Sequence, residues 1–392
     1  MVIRQDGAVN ERVGLGTIAR EWGRIGCVGF GGPPAHITLL RRLCVRDREW
    51  MDPDEFEDGI AATNLLPGPA STQLAILCAW RLRGLPGAVV GGTCFIVPGL
   101  VLILLLAVLF LSGEAPSWIR GAAAGAGAAV AAVAVRAALD LVPSSRERAQ
   151  GRAHRARWYA YLLAGGAATV AIGPYLVLVL VACGFVEMAV RRVPLAPRQA
   201  TLPFGLGGLG LGGLGLGGGL VALSWLAFNV GALSYGGGFV IIPLMQSEAT
   251  GQGWMTMGEF TTAVALGQIT PGPVVQTVAV VGYAAAGLGG ALLATLIAFV
   301  PSFAVVLAAA PHFGRLRSSR AVQGFFDGAG PAVIGAIAGS AIPLARALEH
   351  PWQFAVLGAA ALALLAFRRG VVSTLLGAGA LGVVAALAGL TV

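Results

Sequence analysis

Lysine is missing from this chain. All 26 basic residues are arginine, so no Gly-Lys-Ser/Thr phosphate loop can follow any of its glycine runs. Biased codon usage, in keeping with the wealth of alanine and glycine, is the plain explanation. Charge of either sign is scarce, at 11% of residues, too little to coat one soluble core with a polar shell. The five cysteines, Cys27, Cys44, Cys78, Cys94 and Cys183, are odd in number and show no CxxC spacing. They read as small core residues, which excludes a disulfide framework or a cysteine metal site. His36, His154, His312 and His350 have no metal-ligand spacing, and the apolar stretches hold no Ser/His/Asp constellation. Enzyme chemistry is therefore disfavoured, and neither cofactor nor metal is expected. The opening MVIRQDGAVNER mixes charges where a signal peptide would carry a compact apolar region, so insertion is expected to rely on the first retained helices.

What the chain does have is hydrocarbon. Hydrophobic residues make up 57% of it and the mean hydropathy is +0.81. Positions 87 to 111, GAVVGGTCFIVPGLVLILLLAVLFL, run without a charge for longer than the roughly 20 residues that cross a bilayer as a helix. Several such stretches follow, so the chain is an integral membrane protein with lipid as its surroundings. The formal net charge of +8 comes from arginines in short loops between apolar segments. Membrane orientation accounts for them better than nucleic-acid binding does, and no nucleic-acid partner is expected.

The sequence repeats itself. FGG at 30 to 32 matches YGG at 235 to 237, Trp50-Met51 matches Trp254-Met255, Pro67-Gly68-Pro69 matches Pro271-Gly272-Pro273, and Val97-Pro98 matches Val300-Pro301, at offsets of 205, 204, 204 and 203. Gly121, Gly125 and Gly127 match Gly324, Gly328 and Gly330, again at 203. So small a drift over a hundred positions argues for duplication. Each half reads as a helix running into a glycine break (13 to 30; 220 to 235), a loop with a tryptophan and two short segments around Pro-Gly-Pro. Four further spans follow, at 86 to 111, 117 to 142, 158 to 171 and 174 to 190, with counterparts at 288 to 309, 322 to 345, 352 to 367 and 370 to 390.

Loop arginines assign orientation. In the first half they fill 41 to 48, 81 to 83, 146 to 157 and 191 to 198; in the second the matching loops carry only Arg346, and positive charge moves to Arg315, Arg317, Arg320, Arg368 and Arg369. Like sequence with opposite loop charge predicts opposite orientation, the inverted-repeat design of many secondary transporters. The expected fold is an all-α integral membrane protein with two inverted repeats. Each would make about five crossings and carry a broken re-entrant helical hairpin, for about ten crossings in total, the odd number per half reversing the second half. The domains are expected at 1–198 and 220–392. Residues 199–219 between them are so glycine-rich that a connector is favoured over an extra crossing.

Neither proline of Pro-Gly-Pro can donate a backbone hydrogen bond, and each disfavours helix in the residue before it. The helix must break there, and in a membrane a broken helix survives only when buried in protein or facing a watery cavity. The half-helix starting near Pro69 aims unpaired amides and its positive dipole end into the site, an anion receptor. Asn64, Ser71, Thr72 and Gln73 add polar groups in the first copy, and Gln268, Thr270, Gln276 and Thr277 in the second. The glycines of GFGGPPAH (29 to 36) and SYGGGF (234 to 239), Gly31 and Gly32 with Gly236 and Gly237, allow close backbone approach and an anion-holding nest, or tight helix packing. Arg24 either attracts an anion or snorkels to an interface, and Glu187 and Asp327 are candidate proton carriers. Glu55, Glu57 and Glu259 sit in helix-opening turns, Arg136 and Asp140 pair on one helix, and GAAAGAGAA (121 to 129) packs helices closely.

The combination of an aromatic-Gly-Gly break, a tryptophan loop and amide-x-x-Pro-Gly-Pro, each occurring twice, resembles the chromate ion transporter family in its two-domain form, over nearly the whole chain. That resemblance implies export of chromate, a tetrahedral dianion, across the cytoplasmic membrane of a bacterium, coupled to an ion or proton gradient and conferring chromate resistance. It places the family's glycine motif on Gly31, Gly32 and Pro33 and its Pro-Gly-Pro motif on Pro67, Gly68 and Pro69. The second half departs, with Gly238 at the place of Pro33 and Val274-Val275 at that of Ala70-Ser71. The residues by themselves leave sulfate or another oxyanion, a passive anion channel, protons as the coupling ion, and a homodimer open.

Overall fold

The computed structural model describes residues 13–64, 66–111, 116–149, 151–171, 176–191, 218–234, 241–309 and 319–391, and among these every regular element is a helix. In the first repeat α1 (Leu15–Val28) buries Ile18, Trp22 and Ile25, spaced to share one face. It meets α2 (Pro33–Arg41), which continues as a π-helical turn through Asp47. Next come α3 (Pro53–Thr63), α4 (Ala70–Leu111), α5 (Ser117–Arg148), α6 (Arg152–Ala171) and α7 (Leu176–Val190). The second repeat runs α8 (Gly218–Leu233), α9 (Ile241–Gly251), α10 (Met257–Ile269), a 3-10 turn (Val274–Gln276) and α11 (Thr277–Ala309). It ends with α12 (Arg320–Arg346), α13 (Pro351–Ala361, continuing as a π turn to Ala366) and α14 (Val371–Leu387). Among the described residues four helices are long and apolar enough to cross a membrane, and α7, α8, α13 with its π turn, and α14 are shorter apolar ones. The proposed connector falls outside the described residues up to position 217, and Gly218 and Gly219 open α8.

The duplication is visible in local hydrogen bonds. The amides of Trp50 and Met51 both donate to the Cys44 carbonyl, and those of Trp254 and Met255 both donate to that of Ala249. Thr256 and Glu259 form a reciprocal capping box at the start of α10, the helix-opening role its sequence foretold. Arg136 pairs with Asp140 one turn along α5, also as read from the spacing. The five cysteines are all unpaired, and Cys44, Cys78 and Cys183 are buried.

Two expectations shift. The second short segment at each break and the span beyond it are one continuous run, folded back on itself at a two-residue corner. Arg83 and Gly84 leave helical geometry inside α4, as Ala286 and Gly287 do inside α11, with Gly84 and Gly287 at φ +62° and +61°. A glycine meets that left-handed requirement without strain, so the corner needs no loop. The third span of the first half begins at Arg152, six residues before the apolar stretch at 158; arginine is a good helix former and its head escapes to water.

The repeats interlock with pseudo-two-fold logic. α5 packs on α14 and α13 of the other repeat, α12 packs on α7 and α6, and α4 packs on α11. Small residues make this close approach feasible where lipid gives helices no hydrophobic reason to associate. A Cβ on Gly125 would lie 2.9 Å from the Gly382 Cα, and one on Gly328 2.9 Å from the Cys183 carbonyl carbon. Gly125→Leu should therefore separate α5 from α14 and lower stability by about 1–3 kcal/mol, read as a drop in the thermal unfolding midpoint in detergent; an unchanged midpoint would refute this packing.

Candidate functional site

Each Pro-Gly-Pro break sits at the tip of a helical hairpin, α3 to α4 in the first repeat and α10 to α11 in the second. Gly68 and Gly272 adopt φ of +118° and +102°, which L side chains rarely take. The two tips face the opposite repeat. A Cβ on Gly68 would lie 3.4 Å from the Ser302 hydroxyl, and one on Gly99 2.5 Å from the Gln276 side-chain oxygen. Pro98-Gly99 and Pro301-Ser302 are matching positions near the middle of the charge-free runs of α4 and α11. The breaks therefore lie against the mid-length of the spanning helices. The Gly272 amide donates to the Gly29 carbonyl at 3.0 Å, which ties the second break to the glycine run ending α1.

Around the tips, polar side chains are buried. Ser71, Thr72, Gln73, Gln276, Thr277 and Ser302 are at most 2% exposed, with Thr270 at 3% and Gln268 at 8%. Some are spent on structure. Gln73 Nε2 donates to the Pro67 carbonyl, and Gln276 Nε2 donates across the repeats to the Ile96 carbonyl at 2.7 Å. Thr270 and Thr277 donate to the carbonyls of Leu266 and Val274. The Gln276 bond ties the second break to α4 of the other repeat. Others have no partner among the described residues: Thr72 Oγ1, Gln73 Oε1, Ser234 Oγ, Gln268 Nε2, Gln276 Oε1 and Ser302 Oγ are buried without a hydrogen bond. An orphaned buried polar atom costs about 1–3 kcal/mol, so each of these six calls for a partner that the protein itself does not supply. Three hydroxyls and the Gln268 amide are donors, and the first-turn amides of α4 have no partner within the helix.

The sequence-derived residues divide accordingly. Gly68, Pro69, Ser71, Thr72, Gln268, Pro271, Gly272, Pro273, Gln276 and Thr277 are buried, whereas Asn64, the residue that ends α3, and Pro67 are exposed. Gly31 and Gly32 have φ of +98° and +73° and shape the turn before α2. Gly236 and Gly237 lie outside the described residues. Arg24 is exposed on α1. Glu187 and Asp327 are brought to each other through Arg191, which pairs with Glu187 at 2.8 Å and Asp327 at 2.9 Å. Arginines, with Tyr161 and His154 beside Glu187, are their partners, not the side chains of the breaks. Sequence reasoning passed over Ser302, Ser234 and His36. Ser302 follows a proline already matched between the halves, Ser234 stands where the first repeat has Gly29, and His36 closes the GFGGPPAH run.

The sequence model of the family described as Chromate transporter matches residues 16–188 and again 211–383. A chromate transport protein of Cupriavidus metallidurans is 30% identical over 82% of this chain and 80% of its own. A probable chromate transport protein of Synechococcus elongatus is 26% identical over 90% of each, and a chromate transport protein of Pseudomonas aeruginosa 29% identical over 82% and 79%. No solved structure matches the chain.

Proposed function

Because this chain belongs to the chromate transporter family, we propose that it moves chromate across the cytoplasmic membrane as a secondary transporter, outward, by alternating access around the two Pro-Gly-Pro breaks. The observation that carries this reading is the set of six unpartnered buried polar atoms on both sides of the breaks. Thr72, Ser234, Ser302 and Gln268 supply neutral donors that match the acceptor oxygens of a tetrahedral dianion. The amides and dipole at the start of α4 add positive potential without a formal charge, which suits a site that must release its guest as well as hold it. Gln73 and Gln276 act as braces that hold the tips in shape. The interlocking contacts of α5 with α14 and α12 with α7 give the two repeats a common axis about which to rock.

The test is uptake and efflux of chromate, sulfate and molybdate by the purified protein in vesicles under imposed pH and potential gradients. Saturable chromate flux that responds to a gradient supports the proposal. Flux that rises linearly with concentration indicates a channel, and preference for sulfate reassigns the substrate. Gln276→Leu removes the bond from the second tip to the Ile96 carbonyl and loosens that tip. It should raise the half-saturating chromate concentration about tenfold, the equivalent of one lost buried hydrogen bond. Unchanged half-saturation would remove the brace from the account.

A further inference from the structure

His36 is fully buried and joins the two breaks. Its Nε2 lies 2.8 Å from the Gly29 carbonyl and its Nδ1 3.1 Å from Ser71 Oγ, while the same Gly29 carbonyl accepts from the Gly272 amide. A carbonyl can only accept, so Nε2 carries hydrogen. In the neutral ring Nδ1 is then an acceptor, and the single hydroxyl hydrogen of Ser71 is turned toward it. Ser71 in that state offers only lone pairs to the site, which an oxyanion cannot use. Adding a proton reverses the bond: Nδ1–H donates to Ser71 Oγ, and the Ser71 hydrogen is released to point at an anion.

The pair occurs once in the molecule. At the matching positions the second repeat has Ile241 and Val275, both buried, so both members change from polar to apolar together. Among the described residues no fixed charge competes with the imidazole. It also meets the Phe95 ring, near-perpendicular with centroids 5.0 Å apart. Of the ionisable groups on its own helix and on the elements packed against it, Glu21 pairs with Arg48, Arg41 with Glu57, Arg42 with Asp47 and Arg81 with Glu55. Cys44 and Cys78 face each other; Arg20, Arg24, Cys27, Arg46 and Asp47 are exposed, Cys94 is half-buried and Arg83 forms the corner.

We propose that His36 is the proton-binding site of this transporter, taking one proton from water for each oxyanion bound and, through Ser71, converting an acceptor into a donor at the anion site. This rests on the breaks being the anion site. It makes proton and anion mutually supporting ligands: each raises affinity for the other by the same factor. Protonated His36 also brings the positive charge that the neutral donors around the breaks lack.

The experiment is calorimetric titration of the full-length protein with chromate in buffers of different ionisation enthalpy, at alkaline pH where chromate is wholly the dianion. Wild type should take up protons as chromate binds, up to one per anion, with affinity rising by as much as about tenfold per unit fall in pH. His36→Asn keeps a donor for the Gly29 carbonyl and cannot be protonated. The double variant His36→Ile, Ser71→Val copies a pairing the protein already packs in its second repeat. Both should bind chromate more weakly, with no proton uptake and a flat pH profile; Ser71→Ala should also lose most of the pH dependence. Wild-type binding without proton uptake, or uptake that persists in both His36 variants, overturns the inference and leaves the anion site standing. Chromate binding that survives Gly68→Leu overturns the anion site itself.

Discussion

Gly68→Leu is expected to lower chromate flux in vesicles by at least about a hundredfold while the purified variant keeps its elution profile and helical signal. Two independent physical effects act at that position. A φ of +118° is closed to a leucine, and holding any side chain there costs on the order of 1–3 kcal/mol of strain. The new Cβ would also meet Gln73 Nε2 at 2.5 Å, displacing the amide that pairs with the Pro67 carbonyl. The tip must open, and with it move the start of α4 and the hydroxyl of Thr72. The damage stays local because the tip is a turn between helices, whereas the repeats are held by α5, α12, α6, α7 and α14. Gly272→Leu should act alike, since its φ is +102° and its new Cβ would lie 3.2 Å from the Gln276 side-chain oxygen. Flux within twofold of wild type for either variant would contradict the assignment of the breaks.

The second large effect concerns stability. Glu187 is fully buried; it accepts from Arg157 at 2.8 and 3.0 Å, from Arg191 at 2.8 Å and from the Tyr161 hydroxyl at 3.0 Å. Arg191 also holds Asp327 of the second repeat. Glu187→Leu leaves Arg157 without its carboxylate and Arg191 with Asp327 alone. Removing one member of a buried pair costs about 3–5 kcal/mol, but Arg157 and Arg191 remain in part wet, so about 2 kcal/mol is the reasonable expectation. The unfolding midpoint in detergent should fall by several degrees, and Glu187→Gln, which still accepts hydrogen bonds, should fall less. If Glu187 instead carries protons during transport, Glu187→Gln would change the pH dependence of flux at constant stability. The geometry, a carboxylate clamped by two arginines and a tyrosine, favours the tie between repeats.

Much of this architecture is legible in the sequence because it is written in residue types that constrain the backbone. Two prolines flanking a glycine break a helix wherever they stand, and their recurrence at one offset locates the paired tips. The same holds for Gly125 and Gly328, whose spacing foretold close helix approach. The corner at Gly84 was not legible, since a glycine between apolar residues reads equally as packing, and only φ distinguishes the two. The bonds the amides make were not legible for a related reason. Composition shows Gln73 and Gln276 beside a break, yet which end of each amide is spent on a carbonyl depends on Pro67 six residues away and Ile96 in the other repeat. His36 was read only for metal-ligand spacing, and its partner Ser71, 35 residues distant, lies outside any helical or strand period.

The central claim is that a single oxyanion sits between the two broken helices, and the most direct measurement is an anomalous-difference map at the chromium edge from crystals of the protein grown with chromate. The account predicts one dominant peak within hydrogen-bonding distance of the Thr72 and Ser302 hydroxyls and the first amides of α4. A dominant peak elsewhere, such as among Arg157, Arg191 and His154, with no density between the tips, would contradict it.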